Sequence, residues 1–286
     1  MGSTSQTNGL MRRFSVELTP GDEKSLKAAE RLPAGTEVFI ANLPKGTNDA
    51  VVDAAVRLRG AGMTPVPHIA ARNMPSEAEL SRFLEQLTAK AGVDRVLTIA
   101  GDRDDVHGPF ADSLAVLKCG LLQANGIGQV YLSCYPEGHP RIDDAKLAAA
   151  RADKVAAAEK DGLAVGFISQ FCFEPAPFEA MERDLRAQGF SQPLRLGVAG
   201  PASLIVLAKY AAICGVGPSI RALRERSSLA ASAISGGTEE LLVELARIAA
   251  TNPSLQIGGV HFFTFGALAR TVELIERLTD RVGELA

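Results

Sequence analysis

The chain has 286 residues, of which 47% are hydrophobic and 22% are charged, so it can bury a large core and is neither disordered nor fibrous. Its 30 basic and 33 acidic residues give a formal net charge of -3 without a cluster of Lys and Arg, which argues against a nucleic-acid partner. The length suits two ordinary domains or one (β/α)8 barrel of roughly 250 residues with extensions.

The N-terminal residues Met1–Arg13 are polar and lack the apolar core of a secretory signal, so we expect a disordered tail and a cytoplasmic protein. The apolar stretch Leu196–Gly217 is long enough for a membrane span, but Lys209 interrupts it and Gly200-Pro201 would break a helix. We interpret this stretch as a buried strand, a turn and a helix, and we expect no membrane partner.

The cysteines are widely spaced and form no C-x-x-C pair, which favours free thiols over a disulfide framework or a zinc site. They are Cys119, Cys134, Cys172 and Cys214. An acidic cluster can bind a divalent metal, but no spacing here requires one. We therefore predict no metal site.

Short apolar runs alternate along the chain with longer segments of helical spacing. Eight runs are predicted as strands, namely Phe14–Leu18, Glu37–Ala41, Thr64–His68, Arg95–Ile99, Gln129–Ser133, Ala164–Ser169, Leu194–Val198 and Gly258–Phe262. Predicted helices include Asp49–Gly60, Ser76–Ala91, Asp143–Glu159, Phe178–Gln188 and Glu239–Ala250. Ser76 and Glu79 predict a capping box. Glycines predicted to end helices are Gly62, Gly92, Gly126, Gly162 and Gly189.

Eight repeats of this kind, each of roughly 30 residues, close naturally into a barrel. We therefore predict an α/β fold with a single (β/α)8 TIM barrel as the catalytic domain, spanning residues 14–286 after the polar tail. Residues 215–237 are the least regular and are predicted to hold an additional short helix. An open doubly wound sheet has the same alternation, but the chain has no G-x-G-x-x-G after a strand and no Walker motif.

Active sites of such barrels lie at the carboxyl ends of the strands, where this sequence has many polar residues. Glu17 lies in the first strand, where burial would raise its pKa and suit it to general acid catalysis. The alternative is a carboxylate paired with a core Lys or Arg. Asp102 lies in an acidic loop that is either functional or a solvated turn. His139 lies between Pro136 and Pro140 in a stiff loop suited to recognition.

Six segments carry these strand-end residues in a characteristic order, namely Phe14–Glu17, Pro67–Ile69, Gly101-Asp102, Tyr135–Pro140, Ser169–Phe173 and Val260–Thr264. They resemble the S-F-E-F, P-H-L, R-G-D, Y-P-E-x-H-P, T-Q-F-F-F and F-H-F-Y-T motifs of the methylenetetrahydrofolate reductase family. Members of that family are flavoprotein (β/α)8 barrels that reduce the methylene group of a folate with a nicotinamide donor. The resemblance extends over nearly the whole predicted barrel.

The resemblance implies that Glu17 protonates a folate nitrogen, so that the five-membered ring opens to an iminium that accepts hydride. It implies that Asp102 meets the pterin and tunes the electronics near the hydride carrier, and that Gln170 hydrogen-bonds the pterin or the nicotinamide. Phe173 and Tyr210 are the further candidates for folate binding. The implied cofactor-site residues are His68, Gly101, Phe110, Tyr135, His139 and Lys154.

The chain departs from the family where cations neutralise the flavin pyrophosphate. The corresponding positions are Ala100, Lys154, Ala157 and Ala158. FAD is expected from the family, but each lost charge-assisted contact is worth about 1.5–3 kcal/mol. These departures predict weakened FAD binding unless Arg72, Arg103 or Arg151 compensates. NAD(P)H is the expected hydride donor, either through weakly held FAD or directly to the folate.

Three functions are therefore considered. The first is reduction of 5,10-methylenetetrahydrofolate to 5-methyltetrahydrofolate with NAD(P)H, a reaction of one-carbon metabolism and methionine biosynthesis. The second is a non-reducing folate-binding or methyl-transfer barrel, and the third is an unrelated metal-dependent barrel lyase. The expected partner is a small-molecule folate, and the sequence leaves the oligomeric state and the choice of NADH or NADPH open.

Overall fold

The computed structural model of the protein describes residue 10, residues 13–216 and residues 233–283. Its eight strands form a closed barrel in sequence order, with parallel pairing between neighbours. They are β1 (Phe14–Leu18), β2 (Glu37–Ile40), β3 (Thr64–Ala70), β4 (Arg95–Ile99), β5 (Gln129–Cys134), β6 (Ala164–Cys172), β7 (Leu194–Ala199) and β8 (Ile257–Phe263). This closed order confirms the predicted barrel, because an open doubly wound sheet would keep two edge strands.

Helices connect the strands of the described chain. They are α1 (Glu23–Ala29), α2 (Asn48–Gly60), α3 (Glu77–Ala91), α4 (Ser113–Lys118), α5 (Leu121–Ala124), α6 (Asp144–Lys160), α7 (Pro175–Ala187), α8 (Leu204–Cys214), α9 (Ala233–Thr251) and α10 (Leu268–Gly283). A short 3-10 turn, Ala71–Asn73, follows β3. Residues 1–9, 11 and 12 of the predicted tail lie outside the described residues, as do residues 217–232 of the segment predicted to hold a short helix.

The start of α3 has one of the two hydrogen bonds of the predicted capping box. The backbone N–H of Glu79 donates to Ser76 Oγ at 3.1 Å, as the capping box requires. The carboxylate of Glu79 instead accepts from Arg82 at 2.7 Å and from Asn48 at 3.1 Å, so this half of the predicted box is replaced by side-chain contacts. The five glycines predicted to end helices all have positive φ angles, between 57° and 84°.

Several predicted boundaries differ from the observed ones, and for two of them the reason is visible in the structure. Helix α7 begins at Pro175 rather than Phe178, because a proline ring already has the φ angle of the first helical turn and its missing N–H is not needed there. Strand β6 continues past Ser169 to Cys172. Its register against β7 shifts between Ile168 and Phe171, so the polar Gln170 interrupts the pattern without ending the strand.

The apolar stretch that begins at Leu196 forms the end of β7, a turn and helix α8, as interpreted from the sequence. No helix among the described residues is both long and apolar enough to cross a membrane. All four cysteines are described and all have free thiols; Cys134 and Cys172 are buried, and Cys119 and Cys214 are half-buried.

The chain divides into two compact units. The first unit comprises Glu17–Ser133 and Asp144–Gly166, and its largest fully buried side chains include Phe39, Phe83, Met74 and Leu80. The second unit comprises the described residues of Met1–Val16, Cys134–Asp143 and Phe167–Ala286, with Phe167, Phe171, Phe178 and Phe262 fully buried. Each unit therefore has an apolar core of its own.

A buried carboxylate links the amino ends of strands in the first unit. Glu37, the first residue of β2, is 7% exposed and accepts from Arg95 Nη1 at 2.6 Å. The Tyr131 hydroxyl lies 3.0 and 2.9 Å from its two oxygens. A Cβ atom on Gly166 would lie 2.8 Å from the Tyr131 ring, so glycine is needed beside that ring. The contacts offset the cost of burying the charge.

We predict that Tyr131→Phe lowers the free energy of unfolding by about 1.5–3 kcal/mol, because a hydrogen bond to a charged, buried acceptor is lost. Tyr210→Phe is the matched control: Tyr210 is 36% exposed, and its hydroxyl has no hydrogen bond within the described residues. Urea unfolding followed by circular dichroism measures both. Equal losses in the two variants would contradict the role given to Tyr131.

Candidate active site

The first unit brings three predicted site residues together near the carboxyl ends of its strands. Glu17 lies on β1, His68 on β3, and Asp102 follows β4. His68 Nε2 lies 3.5 Å from Glu17 Oε2, and the Asp102 carboxylate acts electrostatically on Glu17. These residues are far apart in the sequence, and the parallel strands bring them together because their carboxyl ends lie at one edge of the barrel.

Glu17 has the electrostatic properties of an acid that works near neutral pH. Its side chain is 25% exposed, and burial, followed by repulsion from Asp102, raises its pKa to about 7. A partner Lys or Arg would lower that pKa, so the alternative of a stabilised core ion pair is not favoured. Protonated and ionised forms are both populated at pH 7, as general acid–base chemistry requires.

His68 is a neutral neighbour of Glu17 and not its counter-ion. Burial lowers the pKa of His68 to about 4, and its ring packs edge-on against Phe39 with centroids 6.2 Å apart. Within the described residues, His68 Nε2 is buried and makes no hydrogen bond. Because the imidazole is uncharged, it does not lower the raised pKa of Glu17.

Two asparagines at neighbouring strand ends were missed by the sequence reasoning. Asn42 directly follows the predicted second strand and is 8% exposed; Asn73 closes the 3-10 turn after β3. Asn73 Nδ2 donates to the backbone oxygen of Asn42 at 3.2 Å and to its Oδ1 at 3.0 Å. Asn42 could have been found because it is the polar residue after an apolar run, whereas the position of Asn73 depends on a turn with no sequence signature.

The loop after β4 carries further predicted residues with different exposures. Gly101 is half-buried with a φ angle of 92°, and Asp102 is exposed. Phe110 is only 2% exposed, so its ring packs within the protein rather than on an open surface. Of the three loop residues predicted to bind, Asp102 is therefore the one whose side chain reaches solvent.

Three arginines were predicted to replace the missing cations at a flavin pyrophosphate, and the structure gives each of them a different environment. Arg72 donates to the backbone oxygens of Ala111 and Arg103, at 2.9 and 2.8 Å, and Arg103 pairs with Asp105 at 2.6 Å. Arg151 is buried, at 9% exposure. On α6, Lys154 and Ala157 are half-buried and Ala158 is buried.

In the second unit, Gln170 lies where β6 has one residue more than β7. Ile168 pairs with Arg195 and Phe171 pairs with Gly197, so Ser169 and Gln170 lie opposite Leu196 alone. Ser169 Oγ accepts the Gly197 N–H at 2.8 Å, which holds this irregular segment. Gln170 Oε1 accepts the Phe171 N–H at 3.2 Å, so its amide nitrogen is the group left to donate to a ligand.

Aromatic rings cluster around Phe173 and Tyr210 in the same unit. The Phe171 ring lies 5.7 Å from Phe173 and 5.2 Å from Phe265, and Tyr210 lies 4.8 Å from Phe265. Phe171 is buried, but Phe173, Tyr210 and Phe265 keep exposed area. Phe265 has a φ angle of 51°, the only positive φ of a non-glycine residue in the described chain, a strained conformation of the kind found at ligand sites.

The predicted Tyr135–His139 segment is held together locally. The rings of Tyr135 and His139 lie 5.1 Å apart in an edge-on arrangement, and His139 Nδ1 accepts the backbone N–H of Arg141 at 3.1 Å. Burial, and then the charge of Arg141, lower the pKa of His139. Burial, with the Glu137 carboxylate beside it, raises the pKa of the Cys172 thiol, so this thiol is a poor nucleophile.

The two sets of residues support different tasks. The first unit offers a carboxyl group that exchanges a proton near neutral pH, and the second offers an amide and partly exposed aromatic rings for a flat ligand.

No group of three or more His, Cys, Asp or Glu side chains within the described residues is arranged to hold a metal ion.

The chain matches no known protein-family model. Its fold is similar to that of an uncharacterised Clostridium thermocellum protein that binds two copies of 5-methyl-5,6,7,8-tetrahydrofolic acid, with 13% identity, a TM-score of 0.66, and coverage of 98% of this chain and 99% of that one. A dihydropteroate synthase from Burkholderia cenocepacia aligns with a TM-score of 0.49 and 14% identity over 95% of this chain and 92% of that one. At 13% identity, the first similarity establishes the barrel fold.

Proposed function

We propose that the protein reduces 5,10-methylenetetrahydrofolate to 5-methyltetrahydrofolate with NAD(P)H. The observation that carries the proposal is the Glu17 carboxyl, whose pKa is raised to about 7 beside a neutral His68 at the carboxyl ends of the strands. The six ordered motifs support it. Further support comes from the similar Clostridium thermocellum barrel, which binds 5-methyl-5,6,7,8-tetrahydrofolic acid.

Glu17 supplies the proton in this reaction. It protonates a ring nitrogen of the bound folate, the bond from that nitrogen to the methylene carbon breaks, and a cationic iminium forms on the other nitrogen. Hydride from NAD(P)H then adds to the methylene carbon, giving the methyl group and NAD(P)+. The carboxylate left on Glu17, together with Asp102, stabilises the positive charge of the iminium, and Glu17 regains a proton from water.

Folate binding is assigned to groups with flat or amide surfaces. In the second unit, the amide nitrogen of Gln170 donates to the ligand, and the rings of Phe173 and Tyr210 stack on its aromatic portion. These roles agree with their partial exposure, because a stacking ring must present a face to the ligand. In the first unit, Asp102 is an exposed acidic residue of the β4 loop, and its charge acts on Glu17.

The described residues of the first unit do not fit the pyrophosphate of an FAD. Arg72 is bonded to backbone oxygens, Arg103 is paired with Asp105, and Ala157 and Ala158 carry no charge. The positions matched to the family's pyrophosphate cations, Ala100, Ala157 and Ala158, carry no charge, and Lys154 stands where the family has an asparagine. Hydride transfer directly from NAD(P)H to the folate is therefore the route that we propose.

We predict that the purified protein is colourless at flavin wavelengths and oxidises NAD(P)H only when 5,10-methylenetetrahydrofolate is present. Added FAD should not change the rate, because the proposed route does not use it. Absorbance spectra and NAD(P)H oxidation assays measure both. No oxidation with either nucleotide, with or without FAD, would contradict the proposal. Tight 5-methyltetrahydrofolate binding without turnover would instead support the folate-binding or methyl-transfer alternative.

We predict that Glu17→Gln lowers kcat by about 100-fold or more, the range expected when a general acid is lost. The amide is similar in shape to the carboxyl group and avoids burying a charge, so the variant should fold. Glu23→Gln, an exposed carboxylate paired with Arg57, is the control and should retain its rate. Near wild-type turnover by a folded Glu17→Gln variant would remove Glu17 from the mechanism.

The pH dependence follows from the protonated form of Glu17 being the active one. With a pKa of about 7, kcat/KM should be high below pH 7 and fall with rising pH above it. Asp102→Asn removes the carboxylate that raises this pKa, so the same decline should begin at lower pH. A profile measured for both proteins tests this, and coincident declines would show that Asp102 does not act on Glu17.

A further inference from the structure

The acidic loop after β4 is attached to the 3-10 turn that follows β3. The backbone N–H of Arg72 donates to the Ala100 oxygen at 3.0 Å. Its side chain makes two further hydrogen bonds: Nη1 donates to the Arg103 oxygen at 2.8 Å, and Nε donates to the Ala111 oxygen at 2.9 Å. One residue therefore contacts the beginning and the end of this loop.

A close backbone approach adds to this attachment. A Cβ atom on Gly108 would lie 2.4 Å from the Met74 oxygen and 2.5 Å from the Pro75 carbonyl carbon. Only glycine allows the loop to lie this close to the chain that leaves the 3-10 turn. The middle of the loop is thus packed against the same short segment that carries Arg72.

Asp102 depends on this attachment for its position. It is exposed, and it lies between Ala100 and Arg103, whose backbone oxygens both accept from Arg72. An exposed acidic side chain on a free loop would sample many positions, and its effect on a fixed carboxyl group would be averaged and screened by water. Fixing the backbone on both sides of Asp102 limits that sampling.

We propose that Arg72 is a positioning residue that holds the β4 loop so that the Asp102 carboxylate stays beside Glu17. This role differs from compensation at a cofactor phosphate, which the sequence suggested, because Nε and Nη1 of the guanidinium donate to backbone oxygens. This role rests on the proposed function, in which Glu17 is the acid, and it adds Arg72 as the residue that keeps Asp102 in place.

The test follows the titration of Glu17 by NMR in carbon-13-labelled protein, without any substrate. The titratable groups that face Glu17 include His68 on β3 and Asp102 on the β4 loop. Arg72→Ala should lower the Glu17 pKa by about half a unit, because a loosened Asp102 repels its charge less. Loss of the Arg72 charge itself would shift the pKa upward, so the sign separates the two causes.

Arg59→Ala is the matched control. Arg59 also donates to two backbone oxygens, those of Ala91 and Gly92, at 2.8 and 3.0 Å, but these lie at the end of α3. Its loss should affect stability and leave the Glu17 titration unchanged. Arg72→Lys retains the charge and reaches one carbonyl at a time, so it should give a smaller downward shift and serves as the variant to measure if Arg72→Ala does not fold.

A double-mutant cycle decides whether Arg72 acts through Asp102. In an Asp102→Asn background, substitution of Arg72 should cause no further decrease in the Glu17 pKa. An unchanged or raised pKa in the folded single variant, or an equal decrease in both backgrounds, would overturn the proposal. Because the titration needs no turnover, absence of reductase activity in the wild-type protein would refute the proposed function without affecting this result.

Discussion

The burial of one carboxyl group is the constraint on which the candidate site depends. Glu17 is largely removed from water, its neighbour His68 is neutral, and the negative charge of Asp102 repels a carboxylate at this position. Keeping a carboxylate there is unfavourable, so the group holds a proton into the neutral range. A pKa in this range at the carboxyl end of a strand is the property that the proposed proton transfer requires.

The sequence predicted the barrel well because its signals are local. Apolar runs, Ser76 at a helix start and glycines at helix ends each depend on neighbouring residues, and the closed sheet follows from their repetition. The placement of Glu17, His68 and Asp102 at the strand ends could also be predicted, since the carboxyl ends of parallel strands come together in any such barrel. The resemblance to a family added roles that position alone does not give.

What escaped the sequence depends on contacts between distant residues. Nothing near Arg72 in the chain indicates that its guanidinium bonds the backbone of the β4 loop, so charge alone suggested a phosphate ligand. Likewise, Asn73 acquires its partner from the end of β2, and Phe110 is buried by packing that its loop context does not reveal. Side-chain type predicts what a residue can bind, whereas the fold decides which partner it receives.

The extra residue in β6 has a consequence for comparing this chain with others. Side chains of a strand alternate between the barrel interior and the helix layer, and one additional residue reverses that alternation for everything that follows it. Phe171 accordingly pairs with Gly197, whereas an uninterrupted register from Ile168 and Arg195 would place it opposite Val198. An alignment carried through β6 without a gap would therefore place Phe171 and Cys172 one residue out of register against β7.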